Sequence, residues 1–205
     1  MTPIVSSKPL ILGSSSLWRR KELQATGLRF TVLAADIDEK AIRHPDPVIL
    51  TLHIAVAKAS ALLARIAEPS ILITSDQVAV FRGEVREKPA SETEAVRWLR
   101  QYSGTGVDTV TTVVVTDTAT RRSIHGTHQA TAHFAPLPPK AIADAVVRGH
   151  VLHSCGAFTI DDPHIGPYVG GLSGEGDEAE LRSSVSGLPR AKTLALIDRI
   201  VHNAS

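Results

Sequence analysis

Cysteine is nearly absent. Cys155 is the one example in 205 residues. No intrachain disulfide can form, and a zinc site built on several thiolates is excluded. The expected compartment is a reducing one, the cytoplasm. Aromatic residues supply 4% of the chain, so each tryptophan carries weight. Neither sign of charge dominates: Lys and Arg total 22 against 21 Asp and Glu, a net of +1. Proteins that coat nucleic acid draw on a large positive surplus, so the even balance argues against that partner, none is expected, and any phosphate recognition must be local. No run reaches the ~18 uninterrupted apolar residues of a spanning helix, and no membrane partner is expected. Residues 1–9 lack an apolar h-region, so no secretory signal is expected. There is no Gly-x-Ser-x-Gly elbow for acyl transfer, no Walker sequence, and no His-Glu-x-x-His pair among the nine histidines.

What is present is a core. Hydrophobic residues make up 43%, which excludes disorder for the whole chain. The strand signals are Leu10-Ile11-Leu12, 31–35, Ile71-Leu72-Ile73-Thr74, and a β-branched hairpin over 107–116 and 122–134. Val78 to Phe81 and Glu84 to Arg86 flank a turn at Arg82-Gly83. Helix signals alternate with these. Leu52, Ala55, Val56, Ala59, Leu62, Leu63 and Ile66 repeat at helical spacing until Pro69. Ser91-Glu92-Thr93-Glu94 is a capping box ahead of Ala95, Trp98, Leu99 and Tyr102. Pro138-Pro139 opens a helix with Ile142, Ala145 and Val146 inward, 150–187 is rich in loops, and 188–201 closes as a helix. The implied fold is α/β: a mixed, bent β-sheet flanked by helices, in two lobes around a cleft, with 1–205 as a single domain.

Several residues suggest chemistry, each beside a plainer reading. The loop Gly13-Ser14-Ser15-Ser16 precedes a helix whose first turn holds Arg19 and Arg20. Helix N-termini and arginine forks suit phosphate, while a capped helix with solvated arginines is the ordinary case. Lys58 borders the apolar stripe, where its stem can cover that stripe. Lys88 precedes Pro89, the place of a turn lysine. Asp76 lies just past a strand that reads as buried on both faces. Ligands gather at strand ends in α/β sheets, and a carboxylate there can take a proton from water or bind a metal; an Asx-turn is the plain alternative. Glu39, beside Asp36 and Asp38, supplies a second carboxylate or a solvated acidic loop. Oxygen donors without a His/Cys cluster suit Mg²⁺ or Mn²⁺. Cys155 reads as a small buried residue rather than a nucleophile.

Taken together, these segments resemble the Maf family of nucleotide pyrophosphatases, also called septum formation inhibitors. The resemblance spans nearly the whole chain. It rests on Leu10 to Arg20, Ile37-Asp38-Glu39, Ala57-Lys58-Ala59, Thr74-Ser75-Asp76-Gln77-Val78, Glu87-Lys88-Pro89, Ser103-Gly104, Cys155-Gly156-Ala157-Phe158 and Val185-Ser186-Gly187-Leu188-Pro189. Leu17 departs from the usual Pro, and 161–180 departs from the commonest members. The resemblance implies a Maf/ITPase-like fold. It also implies metal-dependent hydrolysis of a nucleoside triphosphate between its α- and β-phosphates, with a homodimer possible. Asp76 would activate water, Glu39 and Asp76 would hold the ion, and Ser14, Arg19, Arg20, Lys58 and Lys88 would grip the triphosphate.

Three positions sort substrates in the family: Trp18, Gln77 and Asp161 here. The pyrimidine-preferring branch has Arg, Thr and Gln at these places. The branch preferring 7-methyl-GTP has Trp, Gln and Glu, which this chain resembles with Asp for Glu. A 7-methylated guanine is cationic, and a tryptophan face attracts cations by about 0.5–2 kcal/mol. The plain readings are a hydrophobic helix anchor for Trp18 and a loop residue for Asp161. The rival functions are a dTTP/UTP pyrophosphatase of the same family and a non-catalytic nucleotide or nucleic-acid binder in division control. Competition between dTTP and 7-methyl-GTP separates the first rival, and absence of any product the second.

Overall fold

The computed structural model describes residues 8–202. Residues 1–7, most of the stretch lacking a signal-like apolar run, and 203–205 lie outside the described residues. Seven strands are found among the described residues: β1 (Leu10–Leu12), β2 (Phe30–Val32), β3 (Ile71–Phe81), β4 (Glu84–Arg86), β5 (Gly106–Asp117), β6 (Ser123–Phe134) and β7 (Val169–Gly174). They form one sheet in the order β2-β1-β3-β5-β6-β7, with β4 paired to β3. β1 is parallel to β2 and β3, whereas β4 is antiparallel to β3 and β7 to β6. The helices are α1 (Leu17–Gln24), α2 (Pro47–Leu63), α3 (Glu92–Tyr102), α4 (Pro139–Arg148), α5 (Glu178–Val185) and α6 (Arg190–His202). This is the mixed α/β architecture expected.

The chain divides into two compact units. The first takes the described residues of Met1–Asp76, Thr111–His128 and Gly187–Ser205; the second takes Gln77–Val110 and Gln129–Ser186.

In the first unit, alternate strand residues build one face. Leu10, Leu12, Ile71, Ile73, Val113 and Val115 pack with Leu23 of α1, Leu188, and Leu196, Ile197 and Ile200 of α6. Leu72 packs with Ala59 and Leu62 of α2. A strand covered on both faces reads as an unbroken apolar run, as Ile71-Leu72-Ile73 does. At the far end of β5, Asp117 accepts from Lys8 Nζ at 2.6 Å and from the Ala119 amide at 3.0 Å. Burial raises the Asp117 pKa, but Lys8 and the turn amides outweigh it and hold the carboxyl below its ordinary value. A depressed carboxylate adds stability above its unfolded pKa and loses it as pH falls through the folded one. Asp117→Asn should therefore melt earlier at pH 7, by a deficit of about 1–2 kcal/mol. In melts repeated at falling pH, the gap from wild type should close below about pH 4, the range where aspartate protonates. A pH-independent gap would contradict the charge argument.

The second unit holds an aromatic core. Tyr102 meets Phe81, Phe134 and Phe158 at centroid distances of 5.2, 5.9 and 6.0 Å. Burial pushes its phenol up to about 12, against the nearby Arg86 guanidinium, which lowers it. Ala95, Trp98, Leu99 and Tyr102 are all buried along α3, as the capping-box reading requires. Arg82 and Gly83, at φ 51° and 81°, form the left-handed two-residue turn between β3 and β4.

Four expectations are corrected. α2 runs Pro47–Leu63 rather than through Ile66: it starts where Asp46 accepts from the Val48 and Ile49 amides and Pro47 fits the first turn, and it ends where the Ala64 and Arg65 amides both turn back onto the Leu62 carbonyl. Its buried stripe is Leu50, Thr51, Ile54, Ala55, Lys58, Ala59 and Leu62, while Val56 is 44% exposed. β3 does not end at Ser75-Asp76-Gln77 but continues to Phe81, where β4 keeps pairing with it. The strand expected over 31–35 is Phe30–Val32. The stretch 150–187 contains β7 and α5, the latter capped by Asp177, which accepts from the Glu180 amide at 2.8 Å. Glycine in β7 hides its alternation.

Candidate active site

Lys58 is in the middle of α2's buried stripe, not beside it. Each four-residue step from Leu50 through Ile54 and Lys58 to Leu62 returns to the same face. An ammonium in that position needs counter-charge. Asp76 provides it: Lys58 Nζ donates to Asp76 Oδ1 at 2.8 Å, with the two residues 6% and 5% exposed. Glu39 Oε1 lies 3.2 Å from the same nitrogen, its side chain 43% exposed. Asp38 positions it by capping the short turn Glu39–Ala41 through the Lys40 amide. One ammonium thus joins a buried carboxylate to one that reaches water.

The backbone around Asp76 is gripped as well. Arg19 Nη1 donates to the Ser75 carbonyl at 2.8 Å, and Arg19 Nε to the Gly187 carbonyl at 3.0 Å. The Ser75 hydroxyl donates to that same Gly187 oxygen at 3.3 Å. α1 itself starts at Ser16, whose hydroxyl accepts from the Arg19 amide at 3.4 Å. Gly13 seats the preceding loop by donating to the Ile73 carbonyl at 2.7 Å. A Cβ there would lie 2.6 Å from Leu62 Cδ1 and 2.7 Å from Thr74 Cγ2, so only glycine fits. Ser14 is buried and accepts from the Ser16 amide at 3.2 Å. Arg20 is exposed, and Trp18 is half-buried with Lys21 Nζ 4.5 Å over its ring.

Glu39 and Asp76 suit a hard divalent ion. Their oxygens surround one nitrogen, so they lie no further apart than its two contacts allow. Among the described residues no group of three His, Cys, Asp or Glu forms a metal cluster. Mg²⁺ tolerates this, because it keeps waters and takes substrate phosphates beside one or two carboxylates.

The other candidates belong to the second unit. Lys88 is exposed at a bend after β4. The Gln77 amide donates through Nε2 to the Ser184 and Val185 carbonyls at 2.8 and 3.2 Å, and its Oε1 accepts from Cys155 Sγ at 3.0 Å. Asp161 is exposed and pairs with Arg182 at 3.4 Å. Cys155 is half-buried rather than buried.

A family profile described as Maf-like protein matches residues 9–200. The chain belongs to the Maf family. A "7-methyl-GTP pyrophosphatase" of Dictyostelium discoideum is 40% identical over 96% of this chain and 99% of its own length. A "Nucleoside triphosphate pyrophosphatase" of Chlamydia muridarum (strain MoPn / Nigg) is 35% identical, over 75% of this chain and 78% of its own. A "dTTP/UTP pyrophosphatase" of Chlamydia trachomatis serovar L2 (strain ATCC VR-902B / DSM 19102 / 434/Bu) is 31% identical over the same shares.

In this Maf chain one placement and one contact lie beyond the sequence expectations. Lys58's place in the stripe was available from its four-residue spacing to Ile54 and Leu62. The approach of Cys155 to Gln77, 78 positions away along the chain, leaves no mark in local pattern.

Proposed function

We propose that this Maf chain is a nucleoside triphosphate pyrophosphatase that cleaves between the α- and β-phosphates and prefers 7-methyl-GTP or a related modified nucleotide. The observation that carries the reading is the buried Asp76 carboxylate, held at 2.8 Å by Lys58 with Glu39 on the same ammonium. Asp76 takes a proton from water as the water oxygen bonds to phosphorus. The bridging P–O bond breaks, and the products are nucleoside monophosphate and pyrophosphate. Negative charge spreads over the phosphoryl oxygens in that transition state, and fixed cations lower its energy. Lys58 supplies one such cation and holds Asp76 in place. Ser14, Arg19, Arg20 and Lys88 bind the triphosphate. Glu39 and Asp76 would hold a Mg²⁺ or Mn²⁺ ion, which when bound neutralises phosphate charge.

Trp18, Gln77 and Asp161 select the base. Trp18 is half-buried, and its ring can attract a cationic base once the Lys21 ammonium 4.5 Å over it moves aside. The 7-methyl-GTP preference is favoured over the pyrimidine one because the relative of that name is the more similar and matches nearly end to end. The whole chain acts as one functional domain in the cytoplasm, and the family resemblance allows a homodimer; the rival reading is a non-catalytic nucleotide or nucleic-acid binder in division control. Among the described residues no helix is long and apolar enough to cross a membrane.

The test is pyrophosphate release from a nucleotide panel. Turnover of 7-methyl-GTP should exceed that of dTTP by about ten-fold or more, the span of one or two specific contacts. Equal or faster dTTP turnover reverses the base assignment. Nucleotide binding without any product would replace the enzyme with a binding protein.

A further inference from the structure

Gln77 is held from both ends of its amide. The carbonyls of Ser184 and Val185 close the last turn of α5 and can only accept, so they fix the amide nitrogen toward themselves. The Cys155 thiol meets the oxygen at 3.0 Å. Cys155 is itself set by its neighbour. Gly156 adopts φ 66°, donates to the Glu87 carbonyl at 2.9 Å, and packs so closely that a Cβ would lie 2.5 Å from Ala79 Cβ. The thiol therefore sits on a pinned turn, aimed at the amide oxygen.

We infer that Cys155 is a positioning residue for base selection: its S–H, on the oxygen end of an amide whose nitrogen the Ser184 and Val185 carbonyls already hold, completes the grip that keeps the Gln77 side chain in the orientation that reads the nucleobase. This rests on the reading of Gln77 as a base-selecting residue. The thiol touches no reacting atom, so its loss should change recognition and leave the hydrolytic step alone. Rotation of the Gln77 side chain away from this pose would present the base with a different pattern of donor and acceptor.

The experiment compares Cys155→Val, which keeps bulk without a donor, with Cys155→Ser, which restores one. Gln77→Ala is the reference, and melting curves exclude misfolding; Cys155→Ala replaces the valine variant if that one melts early. For 7-methyl-GTP, Cys155→Val should raise KM about three- to ten-fold, the worth of one hydrogen bond, with kcat nearly unchanged. Cys155→Ser should keep the wild-type ratio of 7-methyl-GTP to dTTP turnover. The ¹⁵N side-chain amide signal of Gln77, assigned by its loss in Gln77→Ala, should move in Cys155→Val and stay in Cys155→Ser whatever the activity. A selectivity ratio that changes in Gln77→Ala but not in Cys155→Val overturns the inference alone. A ratio unmoved by Gln77→Ala overturns the base-selecting role of Gln77 and the inference with it. A fall in kcat at constant KM in Cys155→Val would mark a merely structural cysteine and also overturn it.

Discussion

Asp76→Asn should lower kcat for pyrophosphate release by about 10²–10⁴-fold, the range lost with a general base. The amide matches the carboxylate in shape and can still accept from Lys58, so the fold should persist. What disappears is the capacity to take a proton from water. At saturating Mg²⁺ KM should change little, because Ser14, Arg19, Arg20, Lys58 and Lys88 still bind the triphosphate. The measurement is steady-state pyrophosphate release with a melting curve on the same sample. Full activity in a folded variant would remove Asp76 from the reaction and return it to a structural role.

Lys58→Met should damage both stability and turnover. Methionine fills the stripe between Ile54 and Leu62 but leaves the Asp76 carboxylate, 5% exposed, without its ammonium. Breaking one side of a buried ion pair costs about 3–5 kcal/mol. In a chain of this size that corresponds to a melting temperature lower by about 6–20 °C. Pairing Lys58→Met with Asp76→Leu should recover most of that loss, since well-packed apolar residues often replace a buried pair without penalty. The double variant should melt near wild type and release no pyrophosphate. If the single variant melts like wild type, Lys58 is not the counter-charge of Asp76.

The sequence made the element order readable because periodicities change cleanly from two to 3.6 at marked turns. The capping box at Ser91, the turn at Arg82-Gly83 and the proline start at Pro139 each name a boundary by local chemistry. The failures have physical causes. Apolar spacing alone does not locate the α2 stripe, since the lysine that completes it is buried by a partner on β3. β3 continues past the polar Ser75-Asp76-Gln77 step because it stays a member of the sheet beyond it, pairing with β4 at Ala79, Val80 and Phe81. β7 was hidden because Gly170, Gly171 and Gly174 carry no side chain to alternate. In the site, Ser14, Arg19, Lys58 and Asp76 were identifiable as separate charged or polar residues. Which carbonyls Arg19 holds, and which thiol meets Gln77, depends on tertiary contacts that no local window contains.

The division of the chain also bears on its synthesis. All of the second unit's residues, through Ser186, emerge before Gly187 does, so its core can close first. The first unit begins earlier but finishes later. Leu10 and Leu12 await Leu196, Ile197 and Ile200, which arrive only with the last helix. Until α6 leaves the ribosome, β1 and its neighbours stay partly uncovered. Such a delay in burying strands is when a nascent chain relies most on chaperones and is most open to pairing with another copy.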